Sequence, residues 1–164
     1  MTYKAPDETR VGHIHLKVSD LERSIAFYQD VLGFELKLRY GEHAAFMAAG
    51  SYHHHIGLNT WHSLDGAPVP KEGQSGMYHV AFVYPDRPAL GRAVAEVKKA
   101  GVNIYGAADH GVSEAVYFDD PDGNGIELYW DRAQEFWERD DAGVVKLINQ
   151  PLDVEALMAD GLES

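Results

Sequence analysis

One strand-helix unit is written twice in this chain, and the repetition restricts the possible folds more than any single residue does. The first copy begins Gly12-His13-Ile14-His15-Leu16-Lys17-Val18-Ser19-Asp20. Ile14, Leu16 and Val18 share one face by the two-residue strand period; His13, His15 and Lys17 share the other. Ser19 followed by Glu22 is a capping-box pattern. Leu21, Ile25, Tyr28 and Val31 or Leu32 then recur at helical spacing as far as Gly33, which is placed for a left-handed C-terminal cap. The second copy, Tyr78-His79-Val80-Ala81-Phe82-Val83-Tyr84-Pro85-Asp86, puts His79 where His13 stood. Its helix has Pro88 in the first turn, a stripe of Leu90, Val94 and Val97, and an end at Ala100-Gly101.

After each helix come three further strand-like segments. They are Glu35–Arg39, Ala44–Ala48 and His53–Asn59 in the first half, and Asn103–Tyr105, Ala115–Phe118 and Ile126–Trp130 in the second. Each half therefore reads β-α-β-β-β, an α+β chain of two tandem modules. Module one spans about 11–62 and module two about 77–131, separated by the Gly- and Pro-bearing loop Ser63–Gly76. Residues 132–164 form an acidic extension in which Asp153 caps a short helix carrying Val154, Leu157 and Met158; a packing arm or interface element is expected there.

Composition removes several functions. Lys and Arg total 14 against 26 Asp and Glu, a formal net charge of -12, and no basic patch is segregated, so a nucleic-acid partner is not expected. There are no cysteines, which excludes disulfides, thiolate zinc sites and thiol catalysis. No apolar run approaches the roughly 18 residues of a membrane span. The opening MTYKAPDETR lacks an apolar signal region, so the expected location is cytoplasmic.

The chemistry concentrates in a few positions. Asp-Pro-Asp-Gly-Asn-Gly (120–125 with its flanking aspartate) is a tight-turn sequence that sets the register of the strands beside it. Glu127 follows in an otherwise apolar strand. Burying a lone carboxylate costs several kcal/mol, so Glu127 should be exposed, paired or metal-bound. By module alignment Ile126-Glu127-Leu128 corresponds to Ile56-Gly57-Leu58, so the partner position of Glu127 has no side chain and the fourth corner is expected to stay open. Two imidazoles and one carboxylate (His13, His79 and Glu127) with open positions is the donor set of non-haem Fe(II) sites that activate oxygen.

The paired βαβββ modules, the strand histidines and the Asp-Pro-Asp-Gly-Asn-Gly-Ile-Glu hairpin resemble the vicinal oxygen chelate superfamily, and within it the single-domain proteins similar to catechol 2,3-dioxygenases. The resemblance covers roughly Val11–Asp131. It implies an open, cupped mixed β-sheet, an incomplete barrel around a metal, with His13, His79 and Glu127 as ligands. Fe(II) is the implied metal, and Mn(II) suits the same donors. Glyoxalase I has a second glutamate where this sequence has Gly57, a departure that argues against glyoxalase chemistry.

The same resemblance assigns acid-base chemistry to His54, counted back from Gly57, within the run His53-His54-His55. Strict strand alternation instead puts His53 and His55 on the face of Gly57; a β-bulge would restore His54. The segment His110-Gly111-Val112-Ser113 and Tyr117 match residues that hydrogen-bond the substrate. His43 and His62 read as loop histidines. The implied activity is extradiol cleavage of a catechol with O₂ to a muconic semialdehyde, in a homodimer or larger homo-oligomer. The alternatives are a metal-dependent lyase, isomerase or thiol transferase of the same superfamily, and a metal-free drug-binding protein.

Overall fold

The structure is a computed structural model that describes residues 2–69 and 73–163; Met1, three residues of the expected inter-module loop, and Ser164 lie outside the described residues. It contains two compact units, Met1–Ala67 and Pro68–Ser164. Each carries one open mixed sheet, and neither sheet closes into a barrel.

In the first unit, β1 (Ile14–Lys17), β2 (Glu35–Tyr40), β3 (Ala44–Ala48) and β4 (Ile56–Asn59) form a sheet of order β1-β4-β3-β2. β1 runs parallel to β4, and β3 is antiparallel to both β2 and β4. Leu16 and Val18 are buried while His13, His15 and Lys17 are exposed, as the strand period predicts. Helix α1 (Leu21–Ala26) continues through a wider turn over Phe27–Val31 and buries Leu21, Ile25 and Tyr28. Its cap is Asp20 rather than Ser19: the Asp20 carboxylate accepts from the Arg23 backbone N–H at 3.0 Å. The Ser19 hydroxyl is taken up instead by the Arg23 guanidinium at 2.8 Å. Gly33 adopts the left-handed conformation (φ 74) expected of it.

The second unit repeats the order. β5 (Val80–Val83), β6 (Gly106–Asp109), β7 (Ser113–Asp119) and β8 (Gly125–Asp131) pair as β5-β8-β7-β6, and β9 (Gln150–Pro151) adds to the edge of β6. Helix α2 (Arg87–Lys99) is capped by Asp86, which accepts from Ala89 N–H at 2.7 Å. It buries Leu90, Val94 and Val97, packing on β8 and on α3 (Val154–Leu162). The two helices approach closely because both sides are glycine. A Cβ on Gly91 would lie 2.2 Å from the Leu157 carbonyl oxygen, and one on Gly161 2.6 Å from Arg92 N. Asp153 caps α3 as expected, accepting from Ala156 N–H at 3.0 Å.

Two strand boundaries differ from expectation. β4 starts at Ile56, with bends at His53 and His55, so the histidine run lies outside the ladder. The strand expected at 103–105 falls at 106–109, where Gly-Ala-Ala-Asp is a weak strand sequence placed by its partners β7 and β9.

Candidate functional site

The hairpin between β7 and β8 fixes the position of Glu127. Asp120 is buried and accepts from the N–H groups of Asp122 at 2.9 Å and Asn124 at 2.8 Å, while its other oxygen accepts from the Asn124 side chain at 2.8 Å. Gly123 takes the positive φ (84) that closes the turn. This knot sets Asp119 opposite Gly125 and therefore Tyr117 opposite Glu127, with Ala81 on the far side of Glu127 in β5.

Around Glu127 a chain of polar groups assembles. His79 Nε2 lies 2.9 Å from Glu127 Oε2, and the Glu127 side chain is only 13% exposed. The Tyr117 hydroxyl donates to Glu127 Oε1 at 3.1 Å, and His110 Nε2 lies 2.8 Å from the same hydroxyl. His110 Nδ1 in turn faces the Ile148 carbonyl oxygen at 3.2 Å. Burial first, and the Glu127 carboxylate second, push the Tyr117 phenol well above the usual tyrosine range, so it stays protonated. His79, Glu127, Tyr117 and His110 are thus brought together, within the second unit.

The first unit gathers the other predicted residues. The His13 and His54 rings lie 4.4 Å apart between centroids, tilted by 51°, and Phe46 meets His54 edge-on at 5.0 Å. His54 Nδ1 lies 2.6 Å from His53 Nδ1. His55 turns away toward Phe34 and Tyr52, and its Nδ1 accepts from Ala49 N–H at 3.3 Å. Because 53–55 are bent rather than extended, alternation does not govern them, and His54, not His55, stands beside His13. Burial, then the neighbouring imidazoles, lower the His54 pKa and favour its neutral form. His43 sits in the turn before β3 and His62 is exposed, both outside this group.

Gly57 needs its missing side chain for a reason the sequence did not reveal. His15 pairs with it across the parallel strands, and a Cβ on Gly57 would stand 2.9 Å from the His15 ring. The space expected to stay open above Gly57 is filled by His15, which also packs against Phe46 and Trp61 at 5.7 Å each. Burial and then His13 lower the His15 pKa.

Sequence reasoning missed a second network. Arg132 grips Asp109 through two hydrogen bonds of 2.6 and 2.9 Å and donates to Glu114 at 2.7 Å. Arg87 donates to the other Glu114 oxygen at 2.7 Å and also pairs with Asp160 of α3. Glu114 stands buried in an apolar strand, the same signal that drew attention to Glu127, and here the signal marks an ion-pair network.

Among the described residues no three His, Cys, Asp or Glu side chains stand together as a ready metal-binding group. The chemistry of the donors nevertheless suits a divalent metal. A mostly buried carboxylate faces an imidazole nitrogen, and its second oxygen is held by a phenol, the kind of outer partner that orients a ligand. Among the described residues no helix is long and apolar enough to cross a membrane.

Residues 10–128 match the glyoxalase/bleomycin resistance protein/dioxygenase superfamily. A catechol-2,3-dioxygenase from Bacillus subtilis is 37% identical over 152 residues, which is 93% of this chain and 52% of that protein. The chain thus spans about half the length of that relative. A metallothiol transferase, FosB, from Staphylococcus epidermidis is 35% identical over 125 residues, 74% of this chain and 81% of that one. In fold, the chain resembles a glyoxalase/dioxygenase from Nostoc punctiforme with a TM-score of 0.66 at 24% identity, covering 81% of this chain and 99% of that one. The chain belongs to the glyoxalase/bleomycin resistance protein/dioxygenase superfamily.

Proposed function

We propose that the chain is an extradiol dioxygenase that opens a catechol ring beside its two hydroxyls, with Fe(II) held by His13, His79 and Glu127; Mn(II) suits the same donors. The observation that carries this reading is the row of His79, Glu127, Tyr117 and His110, a carboxylate and imidazole backed by a protonated phenol and a second imidazole. His13 occupies the position in the first unit that His79 occupies in the second, each one residue before the parallel strand of its sheet. When bound, the ferrous ion supplies a centre at which catechol and dioxygen meet and exchange electrons.

The chain's own groups handle protons and orientation. Neutral His54 accepts a proton from a substrate hydroxyl at a ring nitrogen and returns it later. The Tyr117 hydroxyl hydrogen-bonds the catecholate oxygen, with His110 behind it. Phe46 and the half-exposed Trp61 offer apolar surface to the ring.

Similarity to FosB favours a second reading, a metal-dependent thiol transfer. It lacks a carboxylate at position 57, and the neutral imidazoles beside His13 suit proton shuttling. Anaerobic loading with Fe(II), followed by a panel of catechols in air, separates the two. Ring cleavage gives a yellow product with one O₂ consumed per catechol. Iron bound at one per chain with no oxygen uptake on any catechol would overturn the dioxygenase reading.

A further inference from the structure

Residues 132–151 reach the candidate site through a route that nothing in the local sequence signals. After β8 the chain makes a short helical turn at Gln134–Phe136 and a small hairpin closed by the Arg139–Val145 bridge. It then lays β9 along β6, pairing Gln150 with Asp109 and Pro151 with Ala108. This edge pairing delivers Ile148 to His110. The Ile148 N–H donates to the His110 carbonyl at 3.2 Å, and the Ile148 carbonyl faces His110 Nδ1 at 3.2 Å.

The far side of the turn is equally fixed. His110 N–H donates to the Ser113 carbonyl at 2.8 Å, and Gly111 N–H donates to Asp109 Oδ1 at 2.8 Å. Arg132 clamps that same Asp109 carboxylate. Gly111 adopts a φ of +78, and a Cβ there would stand 3.2 Å from Ile148 Cγ1, so only glycine lets Ile148 close on the turn without displacement.

Hydrogen-bond inventory then decides where the His110 proton sits. A carbonyl oxygen only accepts, so Nδ1 must carry a proton to bond Ile148. Nε2 is left facing the Tyr117 hydroxyl, which has one proton and two neighbours that can accept it, Nε2 and Glu127 Oε1. In one arrangement the phenol donates to Nε2 and His110 is neutral. In the other it donates to Glu127, and Nε2 carries a second proton that it donates to the phenol oxygen. The Nδ1 proton is common to both.

We propose that the C-terminal extension is a positioning element for proton handling: the Ile148 carbonyl locks His110 as the Nδ1–H form, so that Nε2 is the nitrogen that exchanges a proton with Tyr117. The meaning for catalysis rests on the dioxygenase reading. From the arrangement in which the phenol donates to Nε2, the substrate hydroxyl not served by His54 gives its proton to Tyr117 Oη as the phenol proton passes to His110 Nε2. The substrate oxygen gains the negative charge, His110 the positive one, and Tyr117 ends neutral. Without the lock, the neutral ring can carry its proton on Nε2, where it cannot accept.

The test is nitrogen-15 NMR of the imidazoles in the full chain, with His110 assigned by the signals lost in His110→Gln. The wild-type ring should be protonated at Nδ1. Ile148→Pro, which removes the N–H tether, and Gly111→Ala, which pushes Ile148 away, should each move a substantial share of the proton to Nε2. Both should lower kcat about 10–100-fold with KM and bound metal unchanged, the usual scale for losing an outer partner. Tyr117→Phe should leave Nδ1 protonated. A wild-type ring protonated at Nε2 alone, or both variants keeping the wild-type pattern, would overturn the proposal. If the NMR pattern is as expected but no catechol is opened, the lock stands and the dioxygenase reading falls.

Discussion

The row across the first sheet, from β1 to β2, reads His15, Gly57, Phe46, Leu38, and the row across the second, from β5 to β6, reads Ala81, Glu127, Tyr117, Gly106. In each parallel pair one partner is large and the other small, but the order is exchanged. His15 leans over Gly57 in one sheet, and Glu127 stands beside Ala81 in the other. The next position holds an aromatic ring in both, with a hydroxyl only in the second. The same backbone therefore presents a cluster of tilted imidazoles in one unit and a hydrogen-bonded chain of polar groups in the other. The two frames share a strand order, and a few side-chain exchanges set their faces apart.

The largest expected effect comes from erasing the exchange in the second sheet. Glu127→Ala gives that position the small residue its counterpart has. Metal retained after desalting should fall to background and ring cleavage with it, read by metal analysis and oxygen uptake. Next is Arg132→Met, which leaves buried Glu114 facing Arg87 alone and Asp109 without its guanidinium, holding the Gly111 N–H. Breaking a buried pair in this way should cost about 3 kcal/mol in urea unfolding.

The same network gives a pH signature. Hydrogen bonding from Arg132 outweighs burial and holds the Asp109 carboxyl below its ordinary value of 3.8. A depressed carboxylate contributes stability that is fully present above that value and is lost as pH falls through the lower, folded one. Asp109→Asn should therefore flatten the most acidic limb of the stability profile, and an unchanged limb would remove Asp109 from it.

Tyr117→Phe makes the second row match the first. It should leave metal binding intact and lower kcat about 100-fold, the scale of losing one hydrogen bond to developing charge. The smallest effect tests packing. Gly57→Ala should destabilise by about 1–3 kcal/mol through collision with the His15 ring, and His15→Ala in the same chain should recover most of that loss. Additive losses would show that the two residues do not share one space.

Much of this was legible in sequence because it depends on local period and turn chemistry. The strand faces at 14–18, the α2 stripe, the Asp153 cap and the hairpin that sets Glu127 all follow from neighbours within a few residues. Position 54 was harder, since alternation fails where the chain bends before β4, and the bend itself has no strong local signal. Strand β6 was misplaced because Gly-Ala-Ala-Asp has little strand preference of its own; Gly106 is small so that the Tyr117 ring can lie 3.3 Å from where its Cβ would be. Ile148 was invisible, because a backbone carbonyl that acts across the fold leaves no trace in residue type.

If the cross-strand exchange decides which chemistry the fold performs, rewriting the first sheet as the second should abolish it. In the double variant His15→Ala, Gly57→Glu, position 57 gains a carboxylate with its neighbour cleared. Metal should still bind at one per chain while oxygen uptake on the best catechol falls at least about 100-fold, because a further protein ligand would take a position the proposed reaction needs. Oxygen uptake equal to that of the wild type, with the metal bound, would contradict it.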